Sequence, residues 1–107
     1  MEYKNLLSPM KINKYTFKNR IVSAPMVFSL VALDPRAREA QYNKIAARAR
    51  GGAAAVYVGE TDVNFTDANR VPVPYCDFTN YDSEEFKIIS RFADIIHENG
   101  AVAVIEL

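Results

Sequence analysis

Apolar residues along the chain change their spacing at regular intervals, and each change marks an element. Met10-Lys11-Ile12 and Tyr15-Thr16-Phe17 alternate on either side of Asn13-Lys14, which predicts a short β-hairpin. Asn-Gly would make a stronger turn than Asn-Lys. Ile21 to Ala24 is a compact apolar run, predicted as the first core strand. Pro25 ends it, because a residue without an amide hydrogen cannot extend a central strand. Asp34-Pro35 starts a helix, with a capping carboxylate ahead of proline at the first helical position. Tyr42, Ile45, Ala46 and Ala49 then recur at helical spacing, opposite Arg36, Glu39, Asn43 and Arg50, and Gly51-Gly52 stops the helix.

Ala53 to Val58 is a second apolar run, too short for a helix and rich in strand formers. Residues 59–81 are polar and proline-broken, which predicts a long loop. Asp82 with Glu85 gives a capping-box pattern, Asp standing for Ser or Thr, and Tyr81 and Phe86 are placed to staple that cap. Phe86, Ile89, Phe92, Ala93 and Ile96 form the predicted buried stripe of the second helix. Asn99-Gly100 ends it, and Ala101 to Leu107 reads as a third strand. The order is hairpin, β, α, β, α, β. Strands apolar on both faces alternating with amphipathic helices predict a parallel sheet covered by helices, with right-handed crossovers.

Composition narrows the function. The chain has 107 residues, 50% of them apolar, which suits one small domain with a packed core. Thirteen basic and thirteen acidic residues cancel, so nucleic-acid and anionic-membrane partners are not expected. Cys76 is the sole cysteine, which excludes an internal disulfide and a cysteine-based metal cluster and makes a reduced, cytoplasmic location the default. The amino terminus lacks the apolar core of a signal peptide, and no apolar run reaches membrane-spanning length.

In parallel α/β architectures the chemistry sits at the carboxyl ends of the strands. That rule selects Ala24-Pro25-Met26-Val27, Gly59-Glu60-Thr61-Asp62 and Glu106. Glu106 interrupts Ala-Val-Ala-Val-Ile-Glu-Leu, where a buried carboxylate is costly without a partner. It is either a functional group or an acid at an exposed strand end. Glu60 is either a site residue or a solvated loop acid. His97 lies in the last turn of a helix, where a histidinium interacts favourably with the dipole, and that role outweighs catalysis. Cys76 reads as an incidental thiol. Gly51-Gly52 precedes a strand, not a helix, so it is no phosphate loop. The basic residues between Arg36 and Arg50 belong to a helix with a solvated face. Glu60, Asp62, Asp67 and Glu106 could offer oxygen ligands to a divalent cation but lack EF-hand spacing.

Four segments together carry a family resemblance. They are Leu7-Ser8-Pro9-Met10-Lys11-Ile12, then Lys18-Asn19-Arg20-Ile21-Val22-Ser23-Ala24-Pro25-Met26, then Arg48-Ala49-Arg50-Gly51-Gly52-Ala53-Ala54-Ala55-Val56, and His97-Glu98-Asn99-Gly100 leading to Ile105-Glu106-Leu107. In this order and spacing the chain resembles the amino-terminal part of the Old Yellow Enzyme family, on the side of the NADH:flavin oxidoreductase and 2,4-dienoyl-CoA reductase branch. The resemblance implies that residues 1–107 are the amino-terminal segment of an FMN-binding (β/α)8 TIM barrel: the hairpin, three strands and two helices. It implies that Ala24, Pro25, Met26 and Val27 lie against the flavin through backbone atoms, that Glu60 approaches the pyrimidine edge, and that Glu106 meets the ring from the third strand. The family often has Thr or Cys where Val27 stands, and commonly Gln where Glu106 stands. Val27 offers no hydrogen bond, and an ionised Glu106 only accepts. An anion beside the ring disfavours a reduced, negatively charged flavin.

The implied activity is transfer of hydride from NADH or NADPH through FMN to an activated alkene or a similar small-molecule acceptor. In a longer parent the resemblance also allows an iron–sulfur cluster and FAD, neither held by this segment. The family's substrate-anchoring His and its phosphate-binding groups match no position here, so the expectation is that the chain alone does not turn over. It is expected to associate with itself or with the remainder of a barrel. The alternatives from other classes are a non-enzymatic oligomeric α/β module and a fragment of a barrel metalloenzyme using Glu60 and Glu106.

Overall fold

The computed structural model describes residues 3–26, 34–59, 61 and 79–107. It opens on a single helical turn, α1 (Lys4–Leu7), which the sequence pattern did not announce. The hairpin follows as β1 (Met10–Ile12) and β2 (Tyr15–Phe17), paired antiparallel with Ile12 opposite Tyr15. Asn13 has φ of 52°, the left-handed conformation that a two-residue hairpin turn demands and that asparagine tolerates better than most residues.

A separate sheet carries β3 (Val22–Ser23), β4 (Ala55–Val58) and β5 (Val102–Ile105), all parallel, in the order β3-β4-β5. Val22 is level with Ala55, and Ala55 with Val102. The crossover helices are α2 (Pro35–Arg50) and α3 (Glu84–Glu98). The first strand is shorter than Ile21–Ala24 and is not a core strand. It forms one edge of the sheet, and Val22 is 51% exposed. The second strand starts two residues later than its apolar run, at Ala55, and the third is trimmed at both ends of its run.

Helix α2 starts as its sequence requires. Asp34 Oδ1 accepts from the Arg36 amide at 2.8 Å, Pro35 takes the first helical position, and Gly52 leaves the helix with φ of 106°. Its buried residues are Ile45, Ala46 and Ala49, with Tyr42 half-buried beside them. Tyr42 stands edge-on to Phe92 of α3, ring centroids 4.8 Å apart, and burial pushes its phenol pKa up.

Helix α3 corrects two expectations. Its cap is Ser83, not Asp82: Ser83 Oγ accepts from the Phe86 amide at 3.1 Å. Asp82 is spent in the preceding turn, where its amide donates to Asn80 Oδ1 at 3.3 Å. The Tyr81–Phe86 pair forms all the same, edge to face at 5.0 Å. The buried stripe is Ile88, Phe92, Ile95 and Ile96, while Phe86, Ile89 and Ala93 are only half-buried. The helix is turned toward α2, and the Phe86–Ala93 side faces a groove of about 590 Å³ shared with Ile12, Tyr15 and Phe17 of the hairpin and Val102 and Val104 of β5.

The core lies between the sheet and the two helices. Val56 and Val58 point into it with Ile45, Phe92 and Ile96, so by alternation Ala55, Tyr57 and Gly59 face the other side of the sheet. The lower end of the sheet is stapled by the segment between β2 and β3. Asn19 Nδ2 donates to Gly52 O at 2.7 Å while its Oδ1 accepts from the Ile21 amide at 2.9 Å, and Lys18 Nζ donates to Gly100 O at 2.9 Å. Two adjacent side chains thereby tie the entry of β3 to the entries of β4 and β5.

Replacing Ser83 with Ala should lower stability by about 1 kcal/mol, whereas Asp82→Ala should stay within about 0.5 kcal/mol of the parent in urea unfolding. The reverse ranking would restore Asp82 as the cap.

Candidate functional site

Register alone decides what meets at the upper end of the sheet. Val22, Ala55 and Val102 are level, and four residues further along each strand stand Met26, Gly59 and Glu106. Past the end of β3 the parallel pairing stops, and Met26 lies beside Gly59 in an isolated antiparallel bridge. Across β4 and β5 the ladder also continues. The Glu106 amide donates to Val58 O at 2.8 Å, and the Thr61 amide donates to Glu106 O at 3.1 Å. The Glu106 backbone is therefore held on both sides although its side chain is exposed.

Gly59 is the pinch point. A Cβ placed on it would lie 2.8 Å from Glu106 Cβ and 3.0 Å from Pro25 Cβ, and would collide with Glu106 Oε2. The carboxylate could swing away, but the two Cβ atoms are attached to backbone and cannot. Glycine here is what lets three strand tips close on one another. Pro25 from the first tip and Glu106 from the third thus lie over the second, on the face away from the helices.

Ala24 and Pro25 are exposed at the tip, and Met26 is half-buried with its side chain packed against the core. The Met26 sulfur also meets a cation: Arg48 Nη2 donates to Sδ at 2.8 Å. Thr61 is 2% exposed, and its Oγ1 is buried without a hydrogen-bond partner among the described residues. The structure brings together Ala24, Pro25, Met26 and Glu106 of the residues predicted for the site. Val27 and Glu60 lie outside the described residues, as do Cys76, Asp62 and Asp67. His97 is exposed at the far end of α3 and lines the apolar groove, not the tips. Among the described residues no three His, Cys, Asp or Glu gather as a metal site, and no helix is long and apolar enough to cross a membrane.

Sequence reasoning selected Gly59 and Thr61 only as parts of the second strand tip, and it assigned Arg48 to a solvated helix face although the residue is half-buried. Gly59 was legible in principle, as a glycine in the first position after an apolar strand. Nothing in the linear pattern distinguishes Arg48 from the other basic residues of α2.

At the tips Ala24, Pro25 and Glu106 are exposed, while Gly59 lies buried beneath Pro25 and Glu106. The sequence matches the NADH:flavin oxidoreductase / NADH oxidase family over residues 5–107, and the chain belongs to that family. Its fold is shared with 6-hydroxypseudooxynicotine amine oxidase from Pseudomonas geniculata (TM-score 0.77, 29% identity), over 98% of this chain and 15% of that one. It is also shared with the old yellow enzyme from Trypanosoma cruzi (TM-score 0.70, 22% identity), over 96% of this chain and 26% of that one. A 2-naphthoyl-CoA reductase aligns at a TM-score of 0.67 with 23% identity, over 99% of this chain and 16% of that one. The chain thus spans about a seventh to a quarter of the length of these structures. No match was found among curated proteins. The hairpin and the β3-α2-β4-α3-β5 unit are a segment of an Old Yellow Enzyme-like TIM barrel.

Gly59→Ala should cost about 1–3 kcal/mol, the usual range for forcing a methyl into filled space. A chemical-denaturation midpoint unchanged from the parent would show that the tips are looser than described. Thr61→Val should be neutral or stabilising by up to about 1 kcal/mol, because it removes a buried hydroxyl without a partner at almost constant shape. A large loss of stability would mean that the hydroxyl is bonded in solution.

Proposed function

We propose that this chain forms one wall of an FMN pocket in a flavin-dependent oxidoreductase. The observation that carries the reading is the convergence of Pro25, Gly59 and Glu106 at a single level of a parallel sheet, in a chain of the NADH:flavin oxidoreductase family. Backbone atoms of Ala24, Pro25 and Met26 would bear on the edge of the ring system. Gly59 would let Pro25 and Glu106 close up beneath it, and Glu106 would meet its polar margin. Val27 and Glu60, adjacent in sequence to these groups, complete the proposed contact set. When bound, FMN supplies hydride exchange between NADH or NADPH and an activated alkene or similar small-molecule acceptor. The protein's share is to orient the ring and to set the charge around it.

The assembled barrel is the proposed catalytic unit, with this segment contributing no catalytic side chain of its own. The outer edges of β3 and β5, which no described strand pairs, support that view, because unpaired parallel strands call for partners, from the remainder of a barrel or from further copies of the chain. A reduced, cytoplasmic setting is supported by the single cysteine. A second reading, oxidation of an amine donor, is favoured by the fold shared with an amine oxidase at 29% identity.

The test is flavin binding by the protein carrying these residues, followed by quenching of FMN fluorescence. Ala24→Leu, at an exposed position of the first tip, should weaken binding at least about tenfold, a loss of ~1.4 kcal/mol, while circular dichroism stays native-like. Glu106→Gln, which exchanges an anion for a neutral group that can donate, should raise the flavin reduction potential. Failure of the parent protein to bind FMN sinks the proposal. An unchanged potential in the Glu106→Gln variant removes that residue from the ring.

A further inference from the structure

Arg48 occupies a place where a hydrophobic residue would cost less. It projects from α2, between Ile45 and Ala49 of the buried face, and is itself only partly exposed. Nη2 donates to Met26 Sδ at 2.8 Å, and Nη1 is buried without a hydrogen-bond partner. The ion pairs Lys87–Glu84 and Arg91–Glu98 lie elsewhere, and no carboxylate among the described residues is seen paired with Arg48. A guanidinium withdrawn from water and not paired with an anion is expensive. A thioether is a weak acceptor, though soft and polarizable. The contact therefore does little to offset the desolvation of Arg48, and its importance lies in what it holds in place.

What it holds is the rear of the first strand tip. The Met26 side chain packs against the core, while its backbone is bridged to Gly59 at the level of Glu106. Pro25, the preceding residue, lies over Gly59. Behind the tip stands Arg48 and in front of it the candidate site, with Met26 as the link. Pro25 leaves that link without help from its own amide, since proline donates no hydrogen bond to a neighbouring strand. A tip lacking that bond needs another restraint, and the Arg48–Met26 contact supplies one from the helix side.

We propose that Arg48 is a positioning residue: by gripping Met26 from α2 it sets how far Ala24-Pro25-Met26 stands forward at the strand tips, and so the fit of the ligand bound there. The identity of that ligand as FMN rests on the function proposed above. The grip itself does not.

Two readouts separate these parts. The chain contains three methionines, Met1, Met10 and Met26, so methyl-labelled methionine gives a spectrum in which Met26 can be assigned by its loss in Met26→Leu. Arg48→Met removes the charge and every N–H donor while keeping an unbranched side chain suited to a helix, and the methyl resonance it adds is told from that of Met26 by its persistence in the double variant with Met26→Leu. It should move the Met26 methyl resonance and weaken FMN binding about tenfold. Arg48→Lys keeps the charge and a donor on a similar stem, and should recover part of both effects. Met26→Leu should weaken binding as much as Arg48→Met, and the double variant should be no worse than either single one, because the two residues act through one contact.

A lower melting temperature in Arg48→Met, with the Met26 resonance and FMN affinity unchanged, would reduce Arg48 to an ordinary structural residue and overturn the proposal. Additive losses in the double variant would do the same. If Arg48→Met does not fold, Arg48→Lys carries the test: an unmoved Met26 resonance and full affinity would then count against the grip. If the parent protein binds no FMN, the flavin reading fails, and the methyl resonance alone decides whether Arg48 holds the tip.

Discussion

Parallel register is the constraint on which the rest of this structure depends. Val22, Ala55 and Val102 start level, β4 and β5 keep that register to Val58 and Ile105, and the tip of β3 comes back to Gly59 through an antiparallel bridge at Met26. Slipping one strand by a single residue would turn Gly59 or Glu106 to the opposite face and put a side chain where the closure needs none. The register is guarded at the lower end by Asn19 and Lys18, which bond carbonyls just ahead of β4 and β5. These interactions are far from the tips, yet they decide which atoms meet there. That separation, with stability at one end of the strands and chemistry at the other, is the general economy of barrel enzymes.

Much of this was legible from residue order. Asp34-Pro35, Gly51-Gly52 and Asn99-Gly100 are local signals whose physics needs only neighbouring atoms, and each stands at the helix end it foretold. The turn at Asn13-Lys14 formed for the same reason. The misplacements arose where a choice depended on distant partners. Asp82 and Ser83 are both good caps, and the preference passed to Ser83 because Asn80 engages the Asp82 amide. The apolar surface of α3 is wider than one stripe, so its pattern could not say which part would face α2. Ile88 and Ile95 went inward and Phe86 and Ala93 toward the hairpin. Ile21–Ala24 looked like a core strand because apolar content does not reveal whether a strand lies at an edge.

The site shows the same division. Pro25 and Glu106 stood out because each violates the strand that contains it. The reason they meet is a tertiary fact about Gly59, whose missing side chain matters only once two other strands are in place. Arg48 is a sharper case. Its helix carries Arg36, Arg38, Lys44 and Arg50 as well, and only the position of Met26 sets it apart. Membership of the NADH:flavin oxidoreductase family and the barrel-like arrangement of the strands agree on the fold.

The crowding at Gly59 makes the aperture between the tips adjustable in one direction only. Nothing can be trimmed from a residue that has no side chain, and anything added meets backbone-anchored carbons on both sides. Room for a bulkier guest has to come from shortening residue 106 or replacing the ring at residue 25. Diversification of this cradle, natural or engineered, would therefore run through its outer two strands while the middle one stays bare.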